Sequence, residues 1–181
     1  MYSAEPLPHF VDEYLAYLYE INPTTATFDG VHVHDDLLED FSRSAIDAQV
    51  RTLGGFARRL AAIDPARLTD IERLERPALE SSIRARLFEL EDVRTWERSP
   101  QLFADTLATS LAGQALFDYA PLAERARRVL SKLRQVPRFM QAARDNLKDS
   151  KDSTAPGIFI KVGLGETRVE ARGVGARFAK K

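Results

Sequence analysis

The sequence predicts an all-α protein, an antiparallel bundle of several helices, on three observations. Between residues 8 and 147, apolar residues recur every three or four positions, the spacing that gathers them on one face of a helix. Prolines and small polar residues break this pattern at intervals that suit helices joined by short loops. No stretch of the sequence alternates apolar and polar residues in the manner of a half-buried strand. The predicted core therefore lies between helix faces.

The first three predicted helices are bounded by proline, glycine and serine residues. One helix ends before Pro23, because proline disfavours a helical conformation in the residue that precedes it. A short second helix stops at Gly30, which can take the positive φ of a helix end. A third begins at Ser42 or Ser44, either of which can cap it, and ends before Pro65.

The fourth predicted helix has a specific start signal. Thr69 and Glu72 form the T-x-x-E pattern of a capping box. The helix is predicted to run toward Trp96. Pro77 lies inside it, so the helix either kinks at the proline or begins later.

Three further helices are predicted in the second half of the chain. Each follows or begins with a proline, at Pro100, Pro121 and Pro137, a residue that suits the first turn of a helix. The helix after Pro100 carries Ala108 and Gly113, small residues that let neighbouring helices approach closely. We expect this helix to be the central one.

The character of the sequence changes near residue 150. Residues 1–150 are predicted to form one helical domain, and residues 151–164 a linker with the start of an incomplete further element. Residues 165–181 are rich in glycine and arginine and keep no helical or strand period. They are predicted to form a basic, disordered tail.

Composition excludes several classes of function. A net charge of −1 argues against a nucleic-acid partner, which would require a basic face. No apolar run reaches the roughly 18 residues of a membrane helix, and the first residues lack the pattern of a signal peptide. The chain has no cysteine, so it has neither a disulfide nor a thiolate nucleophile. These observations predict a cytoplasmic protein with no membrane or nucleic-acid partner.

The stretch TFDGVHVHDD, from Thr27 to Asp36, offers metal-ligand chemistry. If the segment were extended, His32, His34 and Asp36 would share one face and could hold one ion. The alternatives are adventitious binding at the surface and a structural loop between helices. The sequence favours the loop, because it supplies no organised third ligand and no second shell. The prediction is therefore no catalytic residue, no cofactor site and no metal site in this chain.

Two other groups of residues invite a functional reading. A basic stripe that could contact an anion is formed by Arg125, Arg127, Arg128 and Lys132. Aromatic residues that are predicted to belong to the core rather than to a ligand cage are Trp96, Phe103, Phe117 and Tyr119.

The order of these features resembles the N-terminal part of a bacterial family known as domain of unknown function 885. The resemblance covers about residues 7 to 164. The pieces that carry it are FVDEYLAYLYEINPTTATFDGVHVHDDLLEDFS, LAAIDPARLT, LFELEDVRTWERSP, FDYAPLAERARRVLSKLRQVPRFMQAARDNL and APGIFIKVGL. The resemblance implies a longer, mostly helical protein similar to zinc metallopeptidases, with an HExxH helix later in the chain.

This sequence departs from that pattern in two ways. Its histidines are His9, His32 and His34, so it contains no HExxH motif. After IFIKVGL the similarity stops, as a frameshift or a truncated gene would produce, although a natural domain with a tail stays open. We therefore expect the N-terminal, cleft-wall portion of a metallopeptidase-like protein, inactive alone, with zinc expected only for the full-length family. Such a portion would expose an apolar face and self-associate or bind a partner. The alternative is a standalone helical interaction module, and a small metalloenzyme built on His32 and His34 is the third reading.

Overall fold

The computed structural model describes residues 6–149, and within this range the chain is helical and has no strand. The all-α prediction is confirmed. The predicted linker at 151–164 and tail at 165–181 lie outside the described residues. The elements in chain order are α1 (Leu7–Ile21), α2 (Pro23–Phe28), a 3-10 turn (His32–His34), α3 (Arg43–Ala62), a second 3-10 turn (Pro65–Arg67), α4 (Asp70–Phe88) with a π-helical extension (Glu89–Val93), α5 (Thr95–Arg98), α6 (Pro100–Leu116) and α7 (Leu122–Asp149).

Helix α4 begins at the predicted capping box. The backbone amide of Glu72 donates to Thr69 Oγ1 at 3.3 Å, and the amide of Thr69 donates to Glu72 Oε2 at 2.7 Å. The helix continues through Pro77, so the alternative of a later start was wrong. Its extension ends at Arg94, which takes a left-handed conformation with φ of 55° and closes the last turn with a hydrogen bond to Glu89 O.

Helix α7 corrects the prediction that Pro137 opens a separate helix. It runs unbroken from Leu122 to Asp149, with Pro137 in its interior. A proline there removes one backbone hydrogen bond. Residues on both sides of it are buried, Lys132 before it and Phe139 after it, so packing along the helix holds it together.

The chain divides into two compact units, and α1, α3 and α4 supply the first, from residues 1–18 and 44–94. Its core is apolar and centred on Phe56. The ring of Phe56 lies edge-on to those of Phe10 and Tyr14, with centroids 5.6 and 5.3 Å away. Leucines and isoleucines surround these rings: Leu7, Leu53, Leu60, Ile63, Leu68 and Ile83.

The described part of the second unit comprises residues 19–43 and 95–149. Its apolar core is smaller, a triangle of Phe41, Phe103 and Phe139 with ring centroids 5.2 to 5.8 Å apart. This triangle packs the end of the 29–42 loop onto α6 and α7. Within residues 6–149 no helix is both long enough and apolar enough to cross a membrane.

Candidate functional site

A buried carboxylate organises the polar interior of the second unit. Asp35 follows the 3-10 turn directly, and only 1% of its surface is exposed. A carboxylate removed from water is strongly unfavourable unless donors surround it. Three side chains bind it, Thr27, His32 and Arg128, and the Tyr119 hydroxyl lies close enough to influence its pKa. We call these five residues the Asp35 hub.

Local sequence brings the hub together. Helix α2 ends at Phe28 with Asp29 as its C-cap, and Gly30 takes the predicted positive φ, here 83°. The amide of Val31 then donates to Ala26 O at 2.8 Å, which turns the chain back over the last turn of α2. Thr27 on that turn therefore faces Asp35, and its hydroxyl donates to Asp35 Oδ1.

Arg128 joins α7 to the loop through one end of its guanidinium and is held on α7 by the other. Nη1 donates to Asp35 Oδ2 at 2.5 Å and to the backbone oxygen of His32 at 2.9 Å. Nη2 donates to Glu124 Oε1 at 2.6 Å. Such planar, charge-assisted hydrogen bonds fix orientation as well as contributing energy.

The His32 side chain is held in place by Asp35 and Tyr119. Its Nδ1 lies 3.0 Å from Asp35 Oδ2, and its ring stacks on that of Tyr119 with centroids 3.6 Å apart and planes 7° from parallel. The side chain is 28% exposed, so the imidazole is anchored on one edge and partly open to solvent.

The remainder of α7 fastens the same loop. Gln135 donates from Nε2 to Asp36 O at 2.7 Å and accepts at Oε1 from the amide of Leu38 at 3.2 Å. Asn146 donates to Phe41 O at 2.7 Å. Helix α7 therefore contacts the loop at several points between residues 32 and 41.

Hydrogen bonding sets the pKa values in the hub. Burial alone would raise the pKa of Asp35, but donation from Thr27, Tyr119 and Arg128 and the charge of His32 together lower it. The pKa of Tyr119 is raised well above its ordinary value by burial and by the hydrogen bond and negative charge of Asp35. The Tyr119 hydroxyl also donates to Gln114 Oε1, and its one proton serves one acceptor at a time.

The proposed metal ligands do not have the geometry that the sequence suggested. His32, His34 and the residue between them form a 3-10 turn rather than an extended segment, so alternate residues do not share a face. His32 Nδ1 is engaged by Asp35, and Asp36 is exposed and contributes its backbone oxygen to Gln135. Among the residues that the structure describes, no group of three or more His, Asp or Glu side chains could hold a metal ion.

The basic stripe on α7 is divided between the interior and the surface of the second unit. Arg125 and Lys132 are buried, Arg128 is partly buried in the hub, and Arg127 is exposed. Arg125 donates to the backbone oxygens of Ala120 and Gln114 and to Asp118 Oδ1. The signal was present in the sequence, because 125, 128 and 132 share the helix face of the buried residues 139, 143 and 146.

The predicted aromatic core is half right. Trp96 and Phe103 are buried, at 4% and 3% exposure. Phe117 is exposed and packs edge-on against Phe28, and Tyr119 is partly exposed beside His32. The role of Tyr119 was missed because its partner is distant in sequence.

Comparison with known proteins places the chain in a family. A profile described as "Bacterial protein of unknown function (DUF885)" matches residues 23–178. The chain belongs to the DUF885 family. No curated protein sequence matches it. The hub residues from Thr27 to Arg128 all lie in the part of this DUF885 chain that the family profile covers.

The fold of this DUF885 protein recurs in a solved structure, "a putative lipoprotein of unknown function" from Shewanella oneidensis. The two superimpose with a TM-score of 0.72 at 18% sequence identity. The match covers 97% of this chain and 37% of the Shewanella chain. The comparison shows a shared fold, and this chain spans little more than a third of the longer protein.

Proposed function

We propose that this chain supplies the N-terminal helical wall of the substrate cleft in a larger, zinc-metallopeptidase-like DUF885 protein and is catalytically inactive alone. The observation that carries the proposal is the match of nearly the whole chain, 97%, to 37% of a longer chain with the same fold. A fold that recurs as one part of a larger protein suits a supporting role beside a separate reaction centre.

The contacts of the Asp35 hub favour a structural role for its residues. Both carboxylate oxygens of Asp35 accept hydrogen bonds from this chain's own side chains. Arg128 directs three of its five N–H donors to Asp35, His32 and Glu124. Groups that are already paired hold a loop in position better than they act on a substrate, so the hub would shape the cleft wall formed by residues 29–42.

An apolar stripe on α4 supports the presence of a further packing partner. Ile71, Leu74 and Phe88 are 69%, 79% and 56% exposed. With the exposed Ala78 and Ala85 they follow the three-and-four spacing of a helix-packing seam. We call these five residues the α4 stripe. The proposed occupant is an apolar helix from the remaining part of the larger protein, because large apolar side chains on one helix face mark an interaction surface.

The histidines of this chain do not fit the zinc site that the family resemblance implies. An HExxH helix needs two histidines four residues apart, whereas His9, His32 and His34 are spaced differently. His32 also gives Nδ1 to Asp35. Zinc would therefore be held by residues of the larger protein beyond this sequence.

Two experiments test the proposal. The genomic DNA downstream of the Gly163 codon should encode an HExxH motif in one of the three forward frames; its absence from all three contradicts the proposal. The purified chain, supplied with zinc, should not hydrolyse a mixed peptide library. Zinc-dependent hydrolysis that a chelator stops, and that the double variant His32→Ala/His34→Ala lacks, would show instead that the chain is an enzyme.

The alternative, a standalone interaction module, is also supported by the α4 stripe. The two readings differ in what binds the stripe. If no downstream HExxH is encoded and the chain still associates through Leu74, the standalone module is favoured.

A further inference from the structure

Buried polar atoms of the second unit that have no hydrogen-bond partner among the described residues include Thr24 Oγ1, Glu39 Oε2 and Gln114 Nε2. Gln114 is fully buried and Glu39 is 8% exposed. Unpaired polar groups in an interior are unfavourable, and a native protein normally supplies each with a partner. None of the three atoms is a direct ligand of Asp35.

A buried lysine belongs to the same interior. Lys132 on α7 is fully buried, and its Nζ donates to the backbone oxygen of Ser110 at 3.2 Å. An ammonium group has three donors, so this bond uses one of them. Burial lowers the pKa of Lys132, and the charge of Glu39 is the largest influence that opposes the lowering. The negative charge of Glu39 therefore favours the charged form of Lys132.

The contacts of these residues connect them to one another. Glu39 Oε1 accepts from the amide of Thr24 at 2.9 Å, which places the second carboxylate oxygen beside α2. Ser110 and Gln114 are one turn apart on the same face of α6, so the lysine that reaches Ser110 lies on the side of α6 that carries Gln114. Residues from α2, the loop, α6 and α7 thus converge on one polar interior.

We propose that Thr24, Glu39, Gln114 and Lys132 form a binding site for ordered internal water, which bridges the Lys132 ammonium to the Glu39 carboxylate. The occupant must accept from Gln114 Nε2 and Lys132 Nζ and donate to Glu39 Oε2. Water does both and is small enough for an enclosed interior. An anion would meet the negative charges of Glu39, Asp35 and Asp36, and a metal cation would meet Lys132.

The site lies beside the Asp35 hub and is joined to it through Gln114, whose Oε1 accepts from Tyr119. The hub holds the loop to α7 by direct contacts, whereas this second site would hold Glu39 to α6 and α7 through water. The inference concerns the second unit alone and stands whether or not the chain belongs to a peptidase.

Magnetic relaxation dispersion of water oxygen-17 tests the proposal, because it counts water molecules that stay in a protein longer than its tumbling time. The full chain should show at least one such molecule that Lys132→Met lacks. The matched control is Arg127→Met, an exposed position on the same helix, which should leave the count unchanged. A wild-type chain without long-lived water, or an equal count in wild type and Lys132→Met, overturns the proposal.

Thr24→Val provides a second variant that keeps the side-chain shape and removes one hydroxyl, in case Lys132→Met does not fold. It should shorten the residence time of the bound water at least twofold. A crystal structure at high resolution should show water within hydrogen-bonding distance of Lys132 Nζ and Glu39 Oε2. Direct contact between those two atoms, with no water between them, overturns the proposal. So does a rise in thermal midpoint that potassium or ammonium gives and sodium does not, because that would identify a cation as the occupant.

Discussion

The two units of this chain differ in what they bury. The described part of the first unit has an interior of leucine, isoleucine and aromatic side chains centred on Phe56. All nine polar or charged residues that are buried in the described chain belong to the second unit: Thr27, Asp35, Glu39, Glu97, Ser110, Gln114, Arg125, Lys132 and Asn146.

The first unit therefore holds its helices together by apolar burial, and the second unit relies largely on buried hydrogen bonds. Apolar burial is non-directional, so the first unit gains stability without specifying the orientation of particular atoms. Buried hydrogen bonds depend on distance and angle, so the second unit fixes its loop in one position at the cost of desolvating charges. The hydrogen bonds between α7 and the 29–42 loop therefore specify the position of that loop.

The largest expected effect comes from emptying the apolar core. Phe56→Ala in the first unit should lower the free energy of unfolding by about 3–5 kcal/mol, because it leaves a cavity where three aromatic rings now meet. Urea denaturation followed by circular dichroism measures the change. Phe88→Ala, an exposed position, is the control and should change stability by less than about 0.5 kcal/mol. Equal effects of the two substitutions would show that the rings around Phe56 do not form a packed core.

Removing the charge at the centre of the hub should have the next largest effect. Asp35→Asn keeps the size of the side chain but leaves Arg128 without its buried anion, at an expected loss of about 2–4 kcal/mol. The control is Asp36→Asn, the exposed neighbour. Hydrogen exchange should increase for the amides of residues 31–38 in Asp35→Asn and stay unchanged in Asp36→Asn. Full protection of the loop in Asp35→Asn would contradict the role given to the hub.

The sequence predicted the first unit better than the second, for a physical reason. Apolar periodicity reports burial directly, so Phe10, Tyr14, Phe56 and Leu60 could be placed in a core from spacing alone. The capping box at Thr69 is also local, because its partners are three residues apart.

The hub could not be predicted in the same way. Asp35 and Arg128 are 93 residues apart in sequence, and charged residues on a helix are usually solvated. The prediction of a helix start at Pro137 was wrong for a related reason. Pro137 breaks a local rule, but burial on both sides of it stabilises α7 through tertiary contacts that no local pattern records.

Acid should loosen the second unit before the first. The folded pKa of Asp35 is lower than its ordinary value of 3.8, so its ionised form contributes stability that is present above that pH. This contribution is lost as the pH falls through the folded pKa. Hydrogen exchange monitored between pH 5 and pH 2 should show earlier opening of residues 31–38 than of the α1 and α3 core. Asp35→Asn should remove the difference in pH dependence, and simultaneous opening in the wild type would contradict the prediction.

Alkali should act on the same hub through Tyr119. Its folded pKa is raised above the ordinary value of 10.0, so the stability from its protonated form is full below pH 10 and is lost as the pH rises toward the folded pKa. Lys132 has the opposite pH dependence. Because burial lowers its pKa, its contribution to stability increases as the pH rises toward its ordinary pKa of 10.5. Comparing wild type with Tyr119→Phe isolates the tyrosine. The difference in unfolding free energy should shrink above pH 10, whereas a constant difference would show that Tyr119 titrates alike in both states.

Substitution of an exposed residue of the first unit should have the smallest effect on stability and the clearest effect on association. Leu74 in the α4 stripe is 79% exposed, so Leu74→Glu removes little buried area and should change the free energy of unfolding by less than about 0.5 kcal/mol. If the stripe is a packing surface, the wild-type chain should self-associate at high concentration, and Leu74→Glu should keep it monomeric in sedimentation equilibrium. Glu75→Lys, an exposed neighbour outside the stripe, should associate like the wild type. A wild type that stays monomeric at every concentration would show that the α4 stripe does not bind a second copy of this chain. The binding partner of the stripe would then have to be a different helix, as the proposed larger protein requires.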